Sequence, residues 1–368
     1  MTEQLLQTDP ATLPVTTLTV LLRAQSPDLT LMAYRGTLTA QHLDAPAGET
    51  DALLHSAAVH DLGWLRRVAV RGEDRFRWLS GMVTNAVETL VDGTGAYNLV
   101  LNAQGRIQGD VNVWRIGDEL ELEIAADQVD ALLAHLDHFI IMDDVELIPL
   151  PERSALGIAG PDAGRILAEL GLPALVEDMT SGMGMIDGVA VRLERGYGPL
   201  APHFALRVDA GDIPALWDKI VAAGAKPVGA AALEALRIAE GIPAYGIDIQ
   251  SRDLAQETSQ TRALNFTKGC YLGQEIVERI RSRGQVHRHL LSLELTGDGD
   301  LPAAGTELKA AEKTVGTLTS VAAMQLNGVR RIFAIGLIRA EAEAAKLPLS
   351  YAGGEARILN TGLKLTAV

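Results

Sequence analysis

Strand-like alternation of apolar and polar positions dominates the first third of the chain. Residues 96–101 and 107–116 flank the turn Asn102-Ala103-Gln104-Gly105, and Gly117-Asp118 turns the chain again into 119–125. Further strands are expected at 18–22, 29–33, 65–70, 145–149, 154–159, 189–193 and 205–208. Helical spacing appears from about residue 49, then at 73–79, 127–139, 163–170, 212–223 and 230–240. Gly241 and Pro243 close the last of these. Beyond His289 the pattern changes to short strands at 290–295, 306–309, 314–322, 331–338 and 356–359. They are punctuated by Gly297, Gly299, Gly305 and Gly353-Gly354, the mark of a small β-barrel or sandwich. Meander strands with helices inserted predict an α+β fold on an antiparallel sheet. The expected division is a disordered lead at 1–14, an α+β region of two intertwined lobes at 15–285 that splits near 150, and a barrel domain at 286–368.

Length and composition agree with several lobes. A chain of 368 residues exceeds what one core usually serves. A formal net charge of −15 argues against a protein that coats nucleic acid or an anionic membrane. The apolar run at 15–22 is broken by Thr16, Thr17 and Thr19, and the lead has no basic region before it. Neither a signal peptide nor a membrane span is expected, and the reading is cytoplasmic. The single cysteine excludes an intrachain disulfide and a self-contained four-thiolate iron–sulfur site. The histidines show no metal-ligand spacing, and no dinucleotide fingerprint or phosphate loop is present.

Candidate chemistry centres on Lys268-Gly269-Cys270-Tyr271-Leu272-Gly273-Gln274-Glu275, which runs into an amphipathic segment. Gly269 and Gly273 permit conformations closed to other residues, and a lysine near a thiol favours the reactive thiolate. The same residues also read as a helix entry, with Gln274 and Glu275 in the first turn. From Arg252 to His289 there are seven Arg or Lys against four Asp or Glu, a local excess of +3 in an acidic chain. Arginine grips carboxylates bidentately, so an anionic ligand or a solvated basic face would each account for it.

These residues carry a resemblance. The stretches 76–85, 96–110, 236–248 and the barrel pairs Val315-Gly316 and Thr319-Ser320 resemble, in order, the superfamily of the glycine-cleavage aminomethyltransferase, the T-protein. The run from Lys268 to Glu275 matches K-G-C-Y-x-G-Q-E, the hallmark of its YgfZ branch of folate-binding proteins linked to iron–sulfur cluster maintenance. The resemblance implies a three-lobed fold with a folate-sized central cleft and a C-terminal β-barrel. It also implies tetrahydrofolate or a relative as ligand, and iron–sulfur client or assembly proteins as partners. The alternative it implies is a folate-dependent aminomethyltransferase or demethylase-type one-carbon transferase. Two departures matter. Where the T-protein has adjacent aspartates this chain has Gly109-Asp110, so one carboxylate survives. Its G-Y-T-G-E segment, whose glutamate holds the pterin, reads Gly196-Tyr197-Gly198-Pro199-Leu200.

Roles follow for single residues. Cys270, Lys268 and Asp110 are the expected catalytic set, with Cys270 as a thiol activated by Lys268 and Asp110 as a polar anchor for substrate. Tyr271, Gly273, Gln274, Glu275, Arg237, Tyr245, Arg262 and Tyr197 are the expected folate contacts. Arg237 stands on an otherwise apolar helix, so a snorkelling surface role competes with ligand contact. Tyr245 and Tyr197 offer flat faces but also suit the edge of a core.

Overall fold

The computed structural model describes residues 12–297, 299–326 and 328–359. Most of the expected disordered lead lies outside the described residues. From Pro14 the chain is anchored, its carbonyl accepting the Leu38 amide at 2.9 Å.

The first expected strand is a helix, α1 (Thr17–Gln25). Its β-branched threonines suggested a strand, yet Thr16 is an N-cap whose hydroxyl oxygen accepts the Thr19 amide at 3.2 Å. The hydroxyls of Thr16 and Thr19 also donate to the half-buried Asp61 carboxylate, as Thr39 of the neighbouring strand does, so the two threonines at the helix start serve a polar knot rather than a ladder. A hairpin follows, β1 (Leu31–Tyr34) and β2 (Thr37–Ala40), then α2 (Pro46–His55), β3 (Ala58–Asp61), β4 (Leu65–Arg71) and α3 (Arg75–Met82). Next come the meander β5 (Thr94–Leu101), β6 (Ile107–Ile116) and β7 (Glu119–Ala125), then α4 (Val129–Asp137) and β8 (Glu146–Pro149). The second half holds β9 (Arg153–Ala159), α5 (Ala163–Glu169), β10 (Thr180–Ile186), β11 (Val189–Gly196), β12 (His203–Asp209), α6 (Ile213–Ala222), β13 (Lys226–Pro227) and α7 (Ala230–Glu240). Strand β10 was not expected, because Thr-Ser-Gly-Met-Gly-Met lacks an alternating apolar face and has exposed methionines.

Eleven strands form one sheet in the order β13-β3-β9-β12-β11-β10-β5-β6-β7-β4-β8. Between β10 and β5 the ladder contains a single pair, Thr180 opposite Thr94, so the sheet is two half-sheets joined at a narrow seam. Strand β3 precedes the meander in sequence but belongs to the other half, which intertwines the lobes.

Each half-sheet has one apolar face. Val68, Val111, Val113, Leu120 and Leu122 pack with Trp78 and Leu79 of α3 and Leu132 and Leu136 of α4. Val59, Leu156, Ile158, Leu193 and Leu206 pack with Leu18 of α1, Ile166 of α5 and Trp217 of α6. The opposite faces carry Tyr97, Asp110, Asn112 and Glu123 in one half and His60, Glu194, His203 and Arg207 in the other. These alternate residues point to one side by the two-residue period of a strand. The centre of the second polar face is built from the small residues Gly157, Ala159 and Ala205, with the His60 ring over Gly157.

The remaining strands, β14 (Arg288–Leu295), β15 (Glu307–Ala310), β16 (Lys313–Leu326), β17 (Val329–Arg339), β18 (Leu349–Tyr351) and β19 (Gly354–Ile358), close a barrel in the order β14-β17-β16-β15-β18-β19. Two helices complete the fold, α8 (Gln274–Arg283) before the barrel and α9 (Ala340–Ala344) between β17 and β18. Strand β18, too short to show a pattern, was not expected. A central core of Leu233 and Leu236 from α7, Leu99 and Ile107 from the meander, Tyr271, Val277, and Met324 and Phe333 from the barrel joins the three lobes. Among the described residues no helix is long and apolar enough to cross a membrane.

Candidate functional site

The polar faces of the half-sheets line a cavity of about 280 Å³, with Leu233, Arg237 and Glu240 of α7 on its wall. It sits just below the range of roughly 300–1,000 Å³ usual for small-molecule pockets. Asp110 lines it from β6. One carboxylate oxygen accepts the Tyr97 hydroxyl at 2.9 Å, and the other accepts the Gln128 side-chain amide at 2.7 Å. Gln128 in turn accepts the Asp110 backbone amide at 3.1 Å, which locks the side chain's direction. Burial, with the neighbouring Asp110 charge, pushes the Tyr97 hydroxyl well above its usual pKa, so it stays a donor.

Arg262 faces the same cavity from the loop before the Lys268–Glu275 motif. Its guanidinium carbon lies 4.1 Å from the ring centroid of Tyr97 and 4.3 Å from that of Tyr197, close enough for cation–π attraction to both. Its Nε donates to Gln260 at 3.1 Å. Tyr97 therefore touches both charges, giving its hydroxyl to Asp110 and its face to Arg262.

The other charged groups on the wall are matched. Arg35 pairs with Asp127, Arg237 with Asp248 at 2.6 Å, and His203 with Glu240 at 3.0 Å. Glu123, Glu194 and Arg207 join Arg67, Arg192 and Glu121 in a buried network across the seam. The His203 imidazole has its pKa raised, because the Glu240 charge and hydrogen bond outweigh the cost of burial. His60 behaves oppositely. Its ring fills the space over Gly157, neither nitrogen has a hydrogen-bond partner among the described residues, and burial pushes its pKa down to about 3.

The Lys268–Glu275 motif lies apart from this cavity, and none of its residues lines it. The Lys268 ammonium is turned inward, donating to the carbonyl oxygens of Ser80 at 2.5 Å and Val83 at 2.7 Å, the open C-terminal end of α3. Burial lowers its pKa to about 8. Cys270 is exposed, and no hydrogen bond joins it to Lys268. The expected activation of the thiol by the lysine is thus corrected: the ammonium serves the helix end. Tyr271 is buried in the central core, where burial pushes its hydroxyl up to about 12. Gly273 is the N-cap of α8 at φ +80°, and Gln274 and Glu275 are first-turn residues, with Gln274 accepting the Tyr271 amide at 3.2 Å. A Cβ on Gly273 would stand 2.6 Å from the Asn102 carbonyl oxygen, so this glycine docks α8 on the β5–β6 turn.

Of the expected site residues, the structure brings Asp110, Arg262, Tyr197 and Arg237 to one cavity. Arg237 is committed to Asp248, Glu234 and Ser320, which pins α7 to the barrel rather than leaving a group for ligand. Tyr245 packs against the central core and does not line the cavity. The basic stretch does not converge on this cavity either. Arg288 pairs with Asp253 and Glu257, Arg281 with Glu278, and only Arg262 enters the cavity. Sequence reasoning missed Tyr97, Gln128, His60, His203 and Glu240. Glu240 accepts the Leu200 amide at 3.2 Å, so a carboxylate stands beside the position where the G-Y-T-G-E glutamate is lost.

The half-sheets, helix α7 and the barrel define the three-lobed α+β architecture of the aminomethyltransferases. The chain belongs to the GCVT N-terminal domain family, whose model matches residues 32–268. It is similar to an aminomethyltransferase of Rubrobacter xylanophilus, 28% identical over 282 residues that make up 74% of each chain. It is also similar to a chloroplastic protein of Arabidopsis thaliana named a "putative transferase", 26% identical over 276 residues; the match spans 73% of this chain and 63% of that relative's length. The crystal structure of the glycine cleavage system aminomethyltransferase T from Bartonella henselae superposes with a TM-score of 0.83. At 20% identity it covers 96% of this chain and 98% of its own, and it establishes the fold.

Proposed function

We propose that the chain is a folate-dependent one-carbon transferase of the aminomethyltransferase type, with tetrahydrofolate or a relative held between the half-sheets and Asp110 as the polar anchor. The observation that carries the reading is the setting of Asp110: a carboxylate fixed by Tyr97 and Gln128 and facing the cavity between the half-sheets. Such a group receives a substrate N–H with its geometry already set. The relatives' names favour the transferase, and Glu240 supplies a carboxylate on the wall where a pterin's N–H groups need one. The test is calorimetry with 5-formyltetrahydrofolate, followed by an assay for methylene-tetrahydrofolate from aminomethyl donors. Binding that D110N weakens supports the reading; no heat with the wild type refutes it.

A second reading rests on Cys270. The complete K-G-C-Y-x-G-Q-E match, with its thiol exposed and clear of the cavity, favours a folate-binding protein that supports iron–sulfur cluster assembly or repair through a thiol-dependent step. Complementation of a deletion strain with C270A tests it, and full rescue would remove the thiol from the mechanism. The expected cytoplasmic location belongs with these proposals, the Arabidopsis relative being named chloroplastic.

A further inference from the structure

Every charged group lining the cavity is ion-paired except two, among the described residues: the Asp110 carboxylate and the Arg262 guanidinium. They have opposite sign and share one wall residue, Tyr97, yet no ion pair of 4.0 Å or less joins them. Each is oriented instead by neutral partners: Asp110 by the Tyr97 hydroxyl and the Gln128 amide, Arg262 by two tyrosine faces and Gln260. Two unpaired opposite charges across a cavity attract each other. Tyr97 holds them apart, with one charge at its hydroxyl end and the other over its face. The guanidinium lies over two rings, and among the described residues no hydrogen bond or ion pair engages its terminal nitrogens. Those N–H groups form the fork that matches a carboxylate.

We infer that the cavity is a receptor for a small zwitterion, an α-amino acid or its N-methyl derivative, with the ammonium on Asp110 and the carboxylate on Arg262. The pairing is complementary in charge to such a molecule, whereas a simple amine or a simple acid satisfies only one partner and leaves the other charge unmatched. As a statement about binding, this stands apart from the folate reading. As a statement about the class of one-carbon donor, it rests on that reading.

The test is a titration of the full chain, without folate, using glycine and N-methylglycine as zwitterionic probes and methylamine and acetate as single-charge controls. The zwitterions should bind and the controls should bind at least about tenfold more weakly, the worth of one charge-assisted contact. D110N and R262Q should each weaken zwitterion binding by about tenfold or more, with melting temperatures showing that both variants fold. No zwitterion binding by the wild type, or binding that both variants retain, overturns the inference. A parallel 5-formyltetrahydrofolate titration separates the sources of carboxylate. If R262Q loses folate while keeping the amino acids, Arg262 holds the glutamyl tail and the zwitterion assignment fails. If folate does not bind but the amino acids do, the folate reading fails and this one stands.

Discussion

Lys268 Nζ lies 2.7 Å from the carbonyl oxygen of Val83, so a residue of the cysteine loop closes the end of a helix 185 positions earlier in the chain. Replacing it with methionine keeps the stem's packing but leaves two carbonyls without a donor. K268M should therefore destabilise the protein by about 1–3 kcal/mol, read as a shift in the urea midpoint with an unchanged slope. The pH dependence has a definite sign. Burial lowers the lysine's pKa from its usual 10.5 to about 8, so between these values the folded chain binds fewer protons than the unfolded one. Wild-type stability should rise relative to K268M as pH goes from 8 to 10.5. A flat difference across that window would contradict the buried ammonium.

His203 predicts the opposite slope. Its folded-state pKa is raised by Glu240, so its contribution is fully present below the unfolded value of about 6.5 and is lost as pH rises through the folded value. Melting temperature should fall across that interval in the wild type and less so in H203Q. Equal slopes would show that the imidazole carries no charge beside Glu240.

Gly105 and Gly273 face each other where the β5–β6 turn meets α8. Both have left-handed backbones, φ +72° and +80°, and a Cβ on Gly105 would fall 2.7 Å from the Ile276 side chain. Either alanine variant should cost about 2–4 kcal/mol from the strained backbone plus overpacking. Losses under about 1 kcal/mol would mean that the helix entry is not pressed against the hairpin.

Cys270 is exposed and separate from the cavity, so C270S should alter stability by less than about 0.5 kcal/mol. The native protein should react with a thiol reagent in one step, and the modified protein should bind folate as before. Slow labelling at the rate of global unfolding would place the sulfur inside the fold.

How legible these features were depended on distance along the chain. Strand β6 was read with its observed bounds, because Val111 and Val113 alternate with Asp110 and Asn112. Helix α7 was equally plain, ending at Gly241 with φ +68°. Helix α1 was misread because Thr16 and Thr19 bond to Asp61, a partner invisible at local range. The site failed to show for the same reason. Gln128 reaches Asp110 from 18 positions away, and Arg67 meets Glu194 across 127. Spacing along the chain encodes one strand's faces; it does not encode which strands enclose a space. The motif around Cys270 drew attention as a contiguous run, whereas Asp110 and Arg262 meet only through the fold.

The ionic seam between the half-sheets has a bearing on descent. Arg67, Arg192 and Arg207 balance Glu121, Glu123 and Glu194, all six in or near the dry interior. Neutralising one member strands a charge that water cannot reach, while exchanging an Arg–Glu couple for apolar residues restores balance. In homologous chains these positions should therefore change two at a time, so a lone replacement there would mark either a compensating change nearby or a gene decaying out of use.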